Sequence, residues 1–197
     1  MNKKSIGVID YGSGNLRSVC KALEVAGVTP SLVTAATQLG DVDGIVVPGQ
    51  GHFHQCAANL RASGMWDSVR EWTLEGRPYL GICLGYQLLF ESSEESPGVP
   101  GLGILKGRVV RFSSGSLKVP HMGWNTVSVT GNSNLFKGLS DQSFYFVHSY
   151  AAKTAVGVTQ AWTTHGEKFL SAVEDGAICA TQFHPEKSGD AGIALIK

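Results

Sequence analysis

Cys83 sits in Gly81-Ile82-Cys83-Leu84-Gly85, with a glycine two residues to either side, and His184-Pro185-Glu186 lies near the far end of the chain. In a Gly-x-Ser-x-Gly elbow the small flanking residues let a strand turn sharply into a helix and expose the nucleophile above the sheet. Here sulfur takes the place of oxygen. Such a turn also aims the first free N–H groups of the helix at whatever the sulfur attacks, and those groups favour negative charge. Taken alone, Cys83 reads equally as an inert thiol ending a core strand, since free cysteine is among the most buried residue types. The paired glycines favour the nucleophile, which then needs a base. Pro185 biases His184 toward extended backbone, where residues i and i+2 point the same way. Glu186 can then hold one ring nitrogen while the other faces a thiol. His-Pro-Glu by itself is only a turn after a strand; paired with the elbow it supplies the base and orienter of a Cys83-His184-Glu186 triad.

The elements that must position these residues follow from the pattern. Ser5–Asp10 is expected as a buried strand, followed by a turn and a helix with Leu16, Val19, Cys20 and Leu23 on one face. Asn15 is placed to cap that helix and Gly27 to end it. Gly12-x-Gly14 lacks the rest of a dinucleotide fingerprint, because Arg17 stands at the third glycine position, and is read as a plain turn. Strands are expected at 31–33 and 44–47, the latter ending in the glycine-rich Pro48-Gly49-Gln50-Gly51 loop, with helices at 55–62 and 66–75. The elbow strand and its helix, running to Phe90, come next. Alternating strands and helices predict an α/β fold: an open, mostly parallel sheet with helices on both faces. Ligands of such sheets bind beyond the carboxyl ends of the strands, where both the Gly49 loop and Cys83 fall.

Beyond Phe90 a polar loop is expected over 91–103. Short strands follow at 109–112, 126–129, 144–147, 157–162, 169–173 and 178–183, punctuated as antiparallel meanders are, with a terminal helix over 191–197. Antiparallel strands should therefore extend the sheet in the C-terminal half. One domain spanning 1–197 is the economical organisation.

Composition narrows the partners. Among 197 residues, 16 basic side chains balance 16 acidic ones, which gives a nucleic-acid partner little support, and none is expected. No stretch is long enough to span a membrane, and the apolar run 6–9 is too short for a signal peptide. The four cysteines are scattered without metal-site spacing and read as reduced thiols of a cytoplasmic protein. His52 and His54 could share a metal with His184, but no further ligand commits to the role, and neither metal nor cofactor is expected. His165, in Thr163-Thr164-His165-Gly166, is read as an exposed turn residue.

Gly81-Ile82-Cys83-Leu84-Gly85-Tyr86-Gln87, with Pro48-Gly49-Gln50-Gly51 upstream and His184-Pro185-Glu186 downstream, resembles the class I glutamine amidotransferases, whose fold is flavodoxin-like. The resemblance covers nearly the whole chain. Pro120-His121-Met122-Gly123-Trp124-Asn125, Tyr145-Phe146-Val147-His148-Ser149-Tyr150 and Gln182-Phe183-His184-Pro185-Glu186-Lys187-Ser188 narrow it to the glutaminase subunits of imidazole glycerol phosphate synthases, in histidine biosynthesis.

The resemblance implies hydrolysis of glutamine to glutamate and ammonia, with Cys83 attacking the amide, His184 handling protons and Glu186 holding the imidazole. It implies an oxyanion hole from the Leu84 N–H and the backbone of Gln50 and Gly51. Substrate contacts are implied at Gly49, Gln87, Glu95, Ser149 and Tyr150. It also implies a heterodimer with a separate (β/α)8-barrel cyclase that receives the ammonia, with Asn15, Trp124, Asn125, Tyr145 and Lys187 facing it. By residue type alone, Gln87 could simply brace its helix and Glu95 lie on a solvated loop. Likewise Trp124 and Tyr145 could be core aromatics and Lys187 a surface charge.

Two positions depart from the family pattern: Gln50 stands where valine is usual, and Tyr86 where methionine is common. A Gln50 side-chain hydrogen bond is one way to hold the loop, and the loop is expected to rest with a carbonyl facing the oxyanion position. Other readings are the glutaminase of pyridoxal phosphate synthase, a flavodoxin-like cysteine hydrolase, and a binding module with a decayed site.

Overall fold

The computed structural model describes residues 4–113, 117–139 and 141–197. The N-terminal half runs β1 (Ser5–Ile9), α1 (Leu16–Ala26), β2 (Thr29–Val33), β3 (Gly44–Val47), α2 (Phe53–Ala62), α3 (Trp66–Leu74), β4 (Tyr79–Ile82) and α4 (Leu84–Gln87). The sequence punctuation acts as expected. Asn15 Oδ1 accepts the Ser18 N–H at 3.2 Å, and Gly27 closes α1 at φ 92°. All four residues of β3 are buried, as a strand covered on both faces requires.

The C-terminal half contributes β5 (Phe90–Ser93), β6 (Leu105–Arg111), β7 (His121–Thr126), β8 (Ser128–Thr130), β9 (Ser143–His148), β10 (Tyr150–Ala152), β11 (Thr159–His165), β12 (Glu167–Asp175), β13 (Ile178–Thr181) and α5 (Gly189–Ile196). Among the described residues the main sheet runs β2-β1-β3-β4-β13-β12-β10-β6-β5, with β11 and β8 branching from β12. Its first five strands are mutually parallel. From β13 through β6 successive pairs are antiparallel, which is the predicted extension. Strand order reverses between β1 and β3, so the loops that follow them meet at the open end of the sheet.

Three local expectations are corrected. The elbow helix stops at Gln87 rather than reaching Phe90, which opens β5. The carbonyls of Leu88 and Leu89 accept N–H groups from Leu102, Ile104 and Leu105, which competes with continuing the helix. The expected 91–103 loop accordingly begins as a strand, β5, paired in parallel with β6. The single strand expected over 126–129 is two: β7 pairs with β9 in a separate two-stranded sheet, and β8 joins β11. Fully buried Val127 forms the joint between them.

The core divides accordingly. One cluster lies around the parallel strands and includes Phe53, Leu60, Trp72 and Tyr86. A second is built on Phe144, Phe146, Phe169 and Phe183. Phe183 stacks on Phe144 with ring centroids 4.2 Å apart, which anchors the chain one residue before His184.

Candidate active site

Parallel pairing of β4 with β13 brings the ends of the elbow and the His-Pro-Glu segment together. Thr181 is in register with Ile82, and the Cys83 N–H donates to Thr181 O at 2.8 Å. Cys83 occupies φ 54°, ψ −103°, a strained conformation for a residue with a Cβ. The glycines answer to close approach rather than to conformational freedom. A Cβ on Gly85 would lie 1.8 Å from Val47 O, and one on Gly81 would lie 2.8 Å from Gly85 O. Tyr79 Oη donates to Gly85 O at 2.9 Å and secures the same turn. Tyr86, the departure beside it, is buried and donates to Leu170 O at 2.9 Å.

Cys83 and His184, each 3% exposed, line one cavity of about 560 Å³ together with Gln50, Gly51, Leu84, Gln87, Glu95, Pro120, Val147, His148, Ser149, Tyr150 and Lys187. His184 Nδ1 lies 2.8 Å from Glu186 Oε1. This pairing arises differently from the expectation. His184 is extended, but Pro185–Lys187 forms a 3-10 turn, and that turn swings the carboxylate back onto the ring. His184 is further held by its N–H to Tyr145 O and by the Ser188 hydroxyl on its own carbonyl.

The other ring nitrogen, Nε2, is buried and makes no hydrogen bond. Burial opposes a proton on His184, yet the negative charge that Cys83 can carry, together with Glu186, outweighs it and raises the pKa to about 10. Cys83 acts on the protonated ring through its charge and through side-chain hydrogen bonding, and Glu186 adds to both. Gln182 Nε2 contacts Cys83 Sγ at 3.8 Å, a partner that sequence reading did not single out.

The Leu84 N–H is not free. It donates to Gly49 O at 3.3 Å, so a carbonyl faces the first backbone donor after the nucleophile. The Gln50 N–H points elsewhere, to Ser13 Oγ at 3.4 Å, and Ser13 donates back to Gln50 O at 3.0 Å. Cys56 Sγ lies 3.6 Å from Gln50 O, with burial pushing its thiol pKa up, and Tyr11 Oη donates to Pro48 O. The Gln50 side chain is exposed and makes no hydrogen bond among the described residues; the contacts that hold Gln50 are to its backbone. Ser13, Tyr11 and Cys56 were missed from sequence. The one signal that could have found Ser13 is its position between two glycines in a turn read as plain.

The remaining predicted residues divide. Gln87 is buried, donates to Tyr150 O and Gln182 Oε1, and leaves its own Oε1 unpartnered. Glu95 accepts the Phe53 N–H at 2.7 Å at the start of α2, with one oxygen 4.0 Å from His52 Nε2; it is not a free loop carboxylate. Gly49 lies behind the cavity wall, where a Cβ would come within 2.6 Å of Leu84 Cβ.

Asn15, Trp124, Asn125 and Tyr145 lie outside the cavity, and Lys187 is on its wall. Trp124 is 59% exposed and packs edge-on to half-buried Tyr145, so it is not a core aromatic. Asn125 sits on the opposite face of β7, bonded to His121 and Thr164. His165 is not simply an exposed turn residue: its ring stacks on His121 at 4.2 Å. Among the described residues no group of three or more His, Cys, Asp or Glu side chains is arranged to hold a metal. No described helix is long and apolar enough to cross a membrane.

A nucleophile elbow, a charge-coupled cysteine and histidine, and a carboxylate on the imidazole sit at the carboxyl end of a parallel sheet. This chain belongs to the class-I glutamine amidotransferase family, whose model matches residues 7–196. Within that family it is 46% identical over 193 residues to the imidazole glycerol phosphate synthase subunit HisH of Methanothermobacter thermautotrophicus, covering 98% of this chain and 96% of that one. It is 47% identical to the HisH subunit of Mycobacterium bovis over 201 residues, covering 100% and 97%. Similarity to the HisH subunit of a Synechococcus strain is 48% over 202 residues, covering 100% and 92%. Solved structures share the fold: a glutamine amidotransferase at TM-score 0.76 and 24% identity, covering 97% of this chain and 98% of that one, and PurLQS from Thermotoga maritima at 0.76 and 22%, covering 98% and 96%.

Proposed function

We propose that this chain is the glutaminase subunit of an imidazole glycerol phosphate synthase, acting as one amidotransferase unit in the cytoplasm. The observation that carries the reading is Cys83 and His184 on one cavity wall, with Glu186 bonded to the far nitrogen of the imidazole, in a chain close to half identical to HisH subunits. Cys83 passes its thiol proton to His184 Nε2, and the thiolate attacks the side-chain carbonyl carbon of glutamine. His184 Nε2 gives its proton to the departing nitrogen, which leaves as ammonia from a thioester on Cys83. Water then attacks the thioester and His184 takes its proton; the C–S bond breaks, releasing glutamate and returning the Cys83 sulfur, which is reprotonated from His184. Glu186 keeps the proton on Nδ1 in the neutral ring and stabilises the imidazolium between steps. Gln87, Glu95, Ser149 and Tyr150 hold the substrate, with the unpartnered Gln87 Oε1 available to it as an acceptor.

The tetrahedral intermediate needs the Leu84 N–H, which Gly49 O occupies. Rotation of the Gly49–Gln50 peptide would release that donor and present the Gln50 N–H in place of the carbonyl. One missing oxyanion donor costs about 10²–10³ in rate, so the resting loop holds activity down until the Ser13 grip is broken. The partner is a separate (β/α)8-barrel cyclase, docked over Trp124, Tyr145 and Lys187. Ammonia released into water would be protonated and lose its nucleophilicity, so it passes across the covered interface. Glutamate formation with and without a purified cyclase tests the reading. Turnover that depends on Cys83 and rises when the cyclase is added is the expected result. No Cys83-dependent glutamate in either arm would sink it.

A further inference from the structure

A row of side chains leads from β7 into the cavity wall, and the triad does not use it. Asn125 Nδ2 lies 3.1 Å from His121 Nε2, His121 Nδ1 lies 3.1 Å from His148 Nε2, and His148 Nδ1 lies 2.8 Å from Tyr150 O. Tyr150 O also accepts Gln87 Nε2 at 3.1 Å. The row ends where the chain leaves the small sheet at His148 and enters the main sheet at Tyr150. The His148 bond, two residues along, clasps that corner.

The proton positions follow from donor and acceptor chemistry alone. A carbonyl only accepts, so His148 Nδ1 carries hydrogen and, in a neutral ring, Nε2 is the acceptor. His121 must then donate from Nδ1, which makes its Nε2 an acceptor. Asn125 meets it with a donor. The orientation of that amide is set independently: Nδ2 also donates to Thr164 O at 3.0 Å, and Oδ1 accepts the Thr126 N–H at 2.8 Å. Every partner is satisfied only with both rings neutral and both protons on Nδ1. The surroundings oppose a cation. Both histidines are buried, His165 stacks on His121, His184 acts on His148 from across the cavity, and Lys153 Nζ lies over the Phe112 ring that packs on His148. Burial, reinforced by neighbouring imidazoles, lowers His121 to about 4 and His148 to about 3.

Resting on the glutaminase reading, we propose that Asn125, His121 and His148 form a one-way hydrogen-bond chain that holds the Tyr150 carbonyl, and with it the Ser149–Tyr150 wall of the glutamine pocket. His148 is thus a positioning residue for substrate binding. The chain begins on the strand that presents Met122 and Trp124 outward, 64% and 59% exposed, so a change in the Asn125 amide reaches the pocket through two ring tautomers.

The test reads the tautomers directly. In the ¹⁵N-labelled full-length chain without substrate, long-range imidazole correlations should place the proton of both His121 and His148 on Nδ1; a neutral ring protonated on Nε2 at either position overturns the chain. Asn125→Asp replaces the donor with a carboxylate acceptor, so His121 should gain a proton on Nε2 while its Nδ1–H still serves His148. A His121 Nε2 still without a proton also overturns it. In the glutaminase assay with the cyclase present, His148→Leu should raise the glutamine KM roughly fivefold with kcat near the parent value. His148→Asn, which retains a donor for Tyr150 O, should stay within about twofold of the parent. Equal KM values for the two variants remove the positioning role. Should His148→Leu not fold, His121→Phe decides. With its Nε2 acceptor left unpartnered, His148 should hold Tyr150 O less firmly and the glutamine KM should rise about twofold or more. A KM equal to the parent's counts against coupling along the row. A parent chain that never turns over glutamine sinks the activity reading, and the substrate-free tautomers still decide the chain.

Discussion

The Leu84 N–H donates to the Gly49 carbonyl at 3.3 Å, so the backbone donor that follows the nucleophile is engaged by the loop that should assist it. The grip behind that loop is local. Ser13 bonds both the N–H and the C=O of Gln50, and its removal leaves Cys56 as the remaining side-chain contact to that carbonyl. Ser13→Ala should therefore raise glutaminase activity of the isolated chain roughly fivefold to tenfold, while activity with the cyclase changes little. A steady-state assay of both forms checks it; an unchanged basal rate would show that the hydroxyl does not restrain the loop.

Cys83 combines a reactive position with a strained backbone at φ 54°. Cys83→Ala should lower turnover by at least about 10⁴-fold and leave the melting temperature nearly unchanged, since a small buried side chain replaces another. Cys83→Gly should be equally inactive but more stable than Cys83→Ala by about 1 kcal/mol, because glycine relieves the unfavourable φ. Denaturant unfolding of the two variants side by side measures the difference, and a less stable Cys83→Gly would mean the backbone is not strained.

His184 has a pKa raised from 6.5 to about 10, so above pH 6.5 the native protein holds a proton that the unfolded chain releases. The resulting stabilisation is complete below pH 6.5 and is lost as the pH rises through about 10. Glu186→Gln removes one of the charges responsible and lowers the folded pKa, so the loss should be smaller and complete at lower pH. Its kcat should fall about 10²-fold or more. Thermal unfolding from pH 6 to pH 11 reads the first effect, and superimposable curves for parent and variant would rule out the coupling.

Gly85 lies against the β3 backbone, where a Cβ would meet Val47 O at 1.8 Å. Neither atom belongs to a flexible side chain that can give way. Gly85→Ala should destabilise the protein by about 3 kcal/mol or more and displace the elbow. Circular dichroism melts measure this. A melting temperature equal to the parent's would imply that the elbow shifts freely.

Much of this was legible in residue order because it depends on local chemistry. The glycines around Cys83, the Asn15 and Gly27 caps of α1, and the apolar run of β3 each act through neighbours a few positions away. Spacing even brought out the pairing of His184 with Glu186, although a 3-10 turn achieves it and not extended backbone. Other features required the folded chain because their partners are remote in sequence. Thr181 meets Ile82 only through the β4–β13 pairing, and Ser13 meets Gln50 only where the strand order reverses between β1 and β3. No periodicity records that His121 and His148 would share a proton-ordered row, because strands β7 and β9 set that contact by register. Identity of the chemistry was thus carried by short-range pattern. The resting position of the loop and the support of the pocket wall were decided by contacts that exist only once the sheets assemble.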